Sequence, residues 1–152
     1  KVPAALRNRL GIAIAMRTYK AYVALLVAPR WRKLAASGAR PQRLLWASTG
    51  TKDPAASDVL YLEALAAPET INTIPEKTLL AFAEHGKVGD AMRADAGDAE
   101  ILLTEFARAG VDSDALAMQL QREGTAAFAK SWRDLLGQIG AKVGVPPKVK
   151  RA

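Results

Sequence analysis

The chain has 152 residues, half of them hydrophobic and 24% charged, with a net charge of +7 and no cysteine. This length suits one modest core and falls short of two full domains. Without cysteine there is no disulfide, thiolate metal site or thiol nucleophile, and the single histidine, His85, leaves no histidine triad or metal cluster. Any catalysis would have to use lysine, carboxylates, hydroxyls or backbone.

No unbroken apolar run approaches the roughly 20 residues of a bilayer span, so no membrane association is expected. The chain opens on Lys1 with no charged-then-apolar leader, which reads as no export signal, a cytoplasmic setting and further sequence upstream. Residues 1 to 43 carry ten cations and no acid, among them Arg9, Arg17, Lys20, Arg30, Arg32 and Arg43. Such a basic half suits a polyanion, a phosphorylated substrate, or a surface covered by an acidic segment.

Ile12, Met16, Tyr19, Val23 and Leu26 recur at helical spacing and predict an amphipathic helix over 9–27. Pro29 ends it, and RWRKLAAS gives a short helical piece closed by Gly38. LLWA, from Leu44, reads as a short strand of a parallel sheet covered on both faces. After the polar STGTKDP, Ser57 or Asp58 is placed to cap a helix through VLYLEAL that Pro68 terminates. TINTI is a second strand. Pro75 and Glu76 then open a helix that runs to a C-terminal cap at Gly86. Helices follow from Ala99 to Ala109, from Asp112 or Ser113 to Glu123, and on from Thr125 after Gly124. VGVPPKVKRA reads as an extended or disordered basic tail.

Helix, strand, helix, strand, helix is the order of βα repeats with a parallel sheet. Two strands cannot complete such a sheet, so the fold class expected is α/β, a helix-rich partial barrel with helices appended at its C-terminal side. Residues 1–140 form the barrel portion and 141–152 the tail.

Residues 40–86, RPQRLLWASTGTKDPAASDVLYLEALAAPETINTIPEKTLLAFAEHG, resemble a long, nearly gapless stretch of the transaldolases, most specifically at WASTGTK and NTxP. LRNRLGIAIAMRTYKAY at 6–22 and LQREGTAAFAKSWRDLL at 120–136 are similar to helices of the same family. The resemblance implies a (β/α)8 barrel, here its seventh and eighth strands, that moves a dihydroxyacetone unit between sugar phosphates without a cofactor or metal. It also implies a Schiff-base lysine on an earlier strand, outside this chain, together with the acid and the bound water that move protons. Lys1, in KVPA, reads as a connector residue and not as that lysine. The partners implied are sugar-phosphate substrates and the absent N-terminal barrel segment. The rival reading is a basic helical module that binds nucleic acid or another polyanion; nucleic acid is not the expected partner.

Ser48, Thr49, Gly50, Thr51 and Lys52 fall at the C-terminal end of a strand and the loop after it, where a barrel carries its chemistry. They are candidates for lining a sugar-phosphate pocket, with Gly50 allowing close backbone approach and Lys52 supplying charge. Arg93, in GDAMRAD, is a further phosphate candidate, although that stretch departs from the family's wording. Lys52 is unsuited to Schiff-base chemistry because an exposed loop does not desolvate its amine. Asn72 and Thr73 read as structural hydrogen-bonding residues, His85 as a helix cap, and Trp31, Trp46 and Trp132 as core.

Overall fold

The computed structural model describes residues 2–144; Lys1 and most of the expected tail, 145–152, lie outside them. The chain falls into two units, Lys1–Gly110 and Val111–Ala152.

In the first unit, α1 (Leu10–Val27) is followed by α2 (Pro29–Ala36), with Pro29 at the first helical position and Ala28 extended between them. Gly38 then turns the chain at φ 91°, a left-handed value that glycine takes without a Cβ clash. β1 (Leu44–Trp46) leads through the STGTKDP loop to α3 (Leu60–Ala64), β2 (Thr70–Asn72), α4 (Glu76–His85) and α5 (Ala99–Arg108). β1 and β2 pair in parallel with Leu44 opposite Thr70, Leu45 opposite Ile71 and Trp46 opposite Asn72. Parallel pairing requires a crossover, and α3 supplies it.

The core gathers where α1 meets this sheet. Ala15, Tyr19, Tyr22, Trp46, Leu65 and Met92 are buried together, with Met16, Val23 and Leu26 packed on them. Of the helical stripe expected in 9–27, Tyr19 is buried and Met16, Val23 and Leu26 pack on the core, while Ala13, Ala15 and Tyr22, outside the stripe, are buried as well. Tyr19 and Tyr22 donate their hydroxyls to the Pro68 and Glu69 carbonyls at 3.3 Å. The other side of α1 packs on α5, which buries Ala99, Leu102, Leu103 and Phe106. Burying a ring the size of Phe106 contributes about 1.5–3 kcal/mol. Arg17 reaches Glu100 through two hydrogen bonds of 2.9 and 2.6 Å, and Arg9 approaches Asp98 at 3.5 Å, so part of the basic half is matched inside the chain.

By length and composition α1 could cross a membrane, which the search for unbroken runs missed because Arg17 and Lys20 interrupt it. Only 17% of it is buried in this chain, where it packs on α5 and its tyrosines donate to the Pro68 and Glu69 carbonyls.

Several expectations are corrected. β1 is covered unevenly: Trp46 is buried, whereas Leu45 is exposed. α3 is one short helix starting after Val59, with no side-chain cap; the Ser57 hydroxyl accepts weakly from the Val59 N–H at 3.4 Å instead. Gly86 does cap α4, its N–H donating to the Phe82 carbonyl at 2.9 Å, but with an extended φ of −65° and not a left-handed one. It is there for space, since a Cβ would lie 2.2 Å from the Phe82 ring and 2.6 Å from the Phe82 carbonyl.

In the second unit, α6 (Ser113–Lys142) runs unbroken through Gly124 and Gly137, where two helices were expected. Its first turn is fixed by the Asp112 carboxylate, which accepts from the Asp114 and Ala115 N–H groups. Ion pairing at i,i+4 between Lys130 and Asp134 and a hydrogen bond between Gln119 and Glu123 support its polar face. Ala141 and Lys142, assigned to the tail by sequence, close this helix. Trp132, expected in a core, is exposed on it with Phe128 and Ile139.

Candidate functional site

The loop after β1 is fixed at its front by half-buried hydrogen bonds. Thr49 is 3% exposed, and its hydroxyl donates to the Asn72 side-chain oxygen at 2.7 Å, with the Thr73 carbonyl at 3.5 Å. The Thr73 N–H and hydroxyl both donate to the Trp46 carbonyl, at 3.0 and 3.2 Å. Asn72 and Thr73 thus have the structural role read from sequence: they staple the C-terminal ends of the two strands together.

Gly50 passes so close to α4 that a Cβ there would meet the Pro75 ring at 3.2 Å and the Thr78 hydroxyl at 3.4 Å. The close approach expected of this glycine is to the protein's own helix. Ser48 takes φ 57°, a left-handed conformation uncommon outside glycine, asparagine and aspartate.

Beyond Gly50 the loop borders an open cavity of about 390 Å³. Asn8, Ser48, Lys52, Asp53 and Tyr61 line it with Gly50 and Thr51. Lys52 is exposed and forms no ion pair among the described residues. The Thr51 hydroxyl is buried and meets no hydrogen-bond partner there, a state that costs free energy until a ligand or solvent satisfies it.

Asp53 closes the loop. Its carboxylate accepts from the Asn8 amide at 2.8 Å and from the Ala55 N–H at 3.0 Å. The Asn8 hydrogen bond above all, then the Ala55 N–H and the charge of Arg7, hold its pKa below the ordinary 3.8. Asn8 itself takes φ 61°. Sequence reasoning missed Asn8 and Tyr61, because a polar residue before a helix gives no local sign of facing a loop 45 residues away, nor an aromatic in the next helix of turning back to it.

Arg93 is not brought to this cavity. Its guanidinium is engaged by Asp95 through bonds of 3.0 and 2.5 Å and is otherwise exposed. Together with the Gly97 N–H, Arg93 holds the Asp95 pKa far below the usual carboxylate range. His85 does not cap its helix; its Nε2 meets the Asp58 carboxylate at 2.9 Å. A larger cavity of about 730 Å³, between α1, α2 and β1, is lined chiefly by apolar residues such as Leu26, Trp31 and Leu45. It holds no carboxylate. Among the described residues no group of acids and histidine is arranged to hold a metal ion.

A parallel strand pair with a polar loop at its C-terminal end, bordering a cavity, defines a βα-repeat protein of the type that builds its sites on strand ends. The chain belongs to the transaldolase/fructose-6-phosphate aldolase family, whose model matches residues 2–139. A transaldolase of Frankia alni is 45% identical over 141 residues, or 92% of this chain. One of a Parafrankia species is 47% identical over 141 residues, and one of Thiobacillus denitrificans 47% over 135 residues. The chain spans 38% of the length of each of these relatives. The family implies a TIM barrel, and the helix-rich chain with its small parallel sheet is consistent with part of one.

Proposed function

We propose that the chain is the C-terminal part of a transaldolase, contributing the seventh and eighth strands of a (β/α)8 barrel. The complete enzyme transfers a dihydroxyacetone unit from sedoheptulose 7-phosphate to glyceraldehyde 3-phosphate, giving erythrose 4-phosphate and fructose 6-phosphate. The amine that forms the Schiff base belongs to a lysine outside these 152 residues. The observation that carries the reading is the cavity at the C-terminal end of β1, with Lys52 exposed and the Thr51 hydroxyl unsatisfied beside it. A solvated ammonium is a poor imine-forming amine and a good partner for a phosphate. In this reading Ser48, Thr51 and Lys52 face the substrate phosphate while Thr49 and Gly50 hold the loop. The chemistry uses no cofactor, and its sugar-phosphate substrates place the enzyme in the cytoplasm.

The exposed Leu45 and the apolar cavity flanked by α1 and α2 suit the docking of the remaining barrel on β1. The rival polyanion-binding reading is weakened by the pairing of Arg9 and Arg17 with α5.

The test is transfer from fructose 6-phosphate to erythrose 4-phosphate by the full-length protein, followed by borohydride trapping of the bound ketose. Activity is expected in the full-length protein and none in residues 1–152 alone. The trapped lysine should lie outside this chain, and Lys52→Met should raise KM about tenfold, the scale of one charge-assisted contact, while leaving trapping intact. Trapping at Lys52, or transfer by the 152-residue chain, overturns the proposal.

A further inference from the structure

The loop that borders the cavity has two anchors, and between them Thr51 and Lys52 are suspended. The front anchor is buried: Thr49 on Asn72, with Gly50 against Pro75. The rear anchor is Asp53, and the side-chain bond that ties it to a distant part of the chain is the 2.8 Å hydrogen bond from Asn8. Asn8 lies in the turn between the short 3-10 segment Ala4–Leu6 and α1. A side chain there can reach the loop because the backbone at Asn8 is left-handed, at φ 61°. Asparagine tolerates that conformation better than most residues and carries a donor.

We infer that Asn8 is a positioning residue, which through Asp53 fixes where Thr51 and Lys52 stand at the cavity. What the loop binds rests on the transaldolase reading above; that Asn8 holds the loop does not. The carboxylate is braced on its second oxygen by the Ala55 N–H, so the bond from Asn8 sets the direction of a group already ordered locally. Without it, Asp53 keeps the local bonds from the Ala55 and Ala56 N–H groups and the attraction of Arg7, with no hydrogen bond to a distant part of the chain among the described residues, and the loop's rear is freer to move with Lys52.

Three variants of the full-length protein decide the matter. Asn8→Gly accepts the backbone angle and removes the donor. Asn8→Asp keeps an αL-tolerant side chain but sets carboxylate against carboxylate. The exchange Asn8→Asp with Asp53→Asn rebuilds one hydrogen bond with donor and acceptor reversed. Amide hydrogen exchange at Ala55 and Ala56, whose N–H groups donate to Asp53, should quicken roughly tenfold in both single variants, with the helices unchanged, and return toward wild type in the exchange variant. KM for the sugar phosphate should rise roughly three- to tenfold in the single variants with kcat little altered, the size of one such bond, and be rescued in parallel.

Unchanged exchange at Ala55 and Ala56 in both single variants, or no rescue by the exchanged pair, overturns the inference. If exchange follows the expected pattern in a protein without transaldolase activity, the positioning role stands and the transaldolase reading falls. Activity with unchanged exchange has the opposite meaning.

Discussion

The loop after β1 and the segment from Gly86 to Asp98 have similar composition, with small residues, aspartates and a few cations, yet their polar side chains are held in different ways. In the first, Thr49 and Asp53 bond to residues 23 and 45 positions away. In the second, Arg93 and the Gly97 N–H both turn to Asp95, two residues off, with longer reaches at its two ends, from the Lys87 N–H to Glu63 and from Asp98 to Arg9, while Met92 carries the packing into the core. A cation partly neutralised by its neighbour has less to offer a phosphate, whereas one with no ion pair among the described residues, on a loop held at both ends, stands ready for a ligand. Distance in sequence between partners therefore separates the two phosphate candidates, Lys52 and Arg93, more sharply than residue type does.

The comparison can be broken by substitution. The largest effect should come from Thr49→Val, which replaces a buried hydroxyl and leaves the half-buried Asn72 oxygen without its donor; urea unfolding should show a loss of about 0.5–1.5 kcal/mol. A cost no greater than that of a surface change would mean that the front anchor does not hold the strands.

A smaller effect is expected at the exposed contact of His85 with Asp58. The hydrogen bond to Asp58, aided by its charge, lifts the His85 pKa above the ordinary 6.5, and the same contact lowers Asp58 below 3.8. The histidine's contribution is complete below 6.5 and disappears as pH rises through its raised folded value. That of Asp58 is present above 3.8 and is lost as pH falls through its depressed value. Melting temperature should therefore decline slightly between about pH 6 and 8, the decline should be absent in His85→Gln, and added salt should reduce it. An identical pH slope in the two proteins would remove the contact from the stability of α4. The smallest effect belongs to Arg93→Ala, for which KM and melting temperature should match the wild type; a KM rise comparable to that of Lys52→Met would erase the distinction between the two segments.

The elements themselves were largely legible. The stripe in 9–27, the two short β runs and the proline at 29 each follow from local pattern, and the structure places them close to where the pattern does. What was not legible depends on partners far along the chain. Gly124 and Gly86 look alike as helix-ending glycines, but only Gly86 ends its helix, where it also makes room for the Phe82 ring, whereas Gly124 lies inside α6. His85 at a helix end suggests a cap, and only the fold brings Asp58 within reach. In the candidate site, the loop residues declared themselves through their place after a strand. Asn8 did not, since nothing near it in sequence indicates that its amide crosses to Asp53.

Ser48, at φ 57°, has a consequence for how this loop can be varied. A residue with a Cβ in the left-handed region is disfavoured by roughly 1–2 kcal/mol, and branching at Cβ makes the clash worse. A library randomised at position 48 and selected for any function at all should thus return glycine, asparagine and aspartate beside serine, and exclude valine, isoleucine and threonine. The backbone edits the alphabet at this position before chemistry has a say.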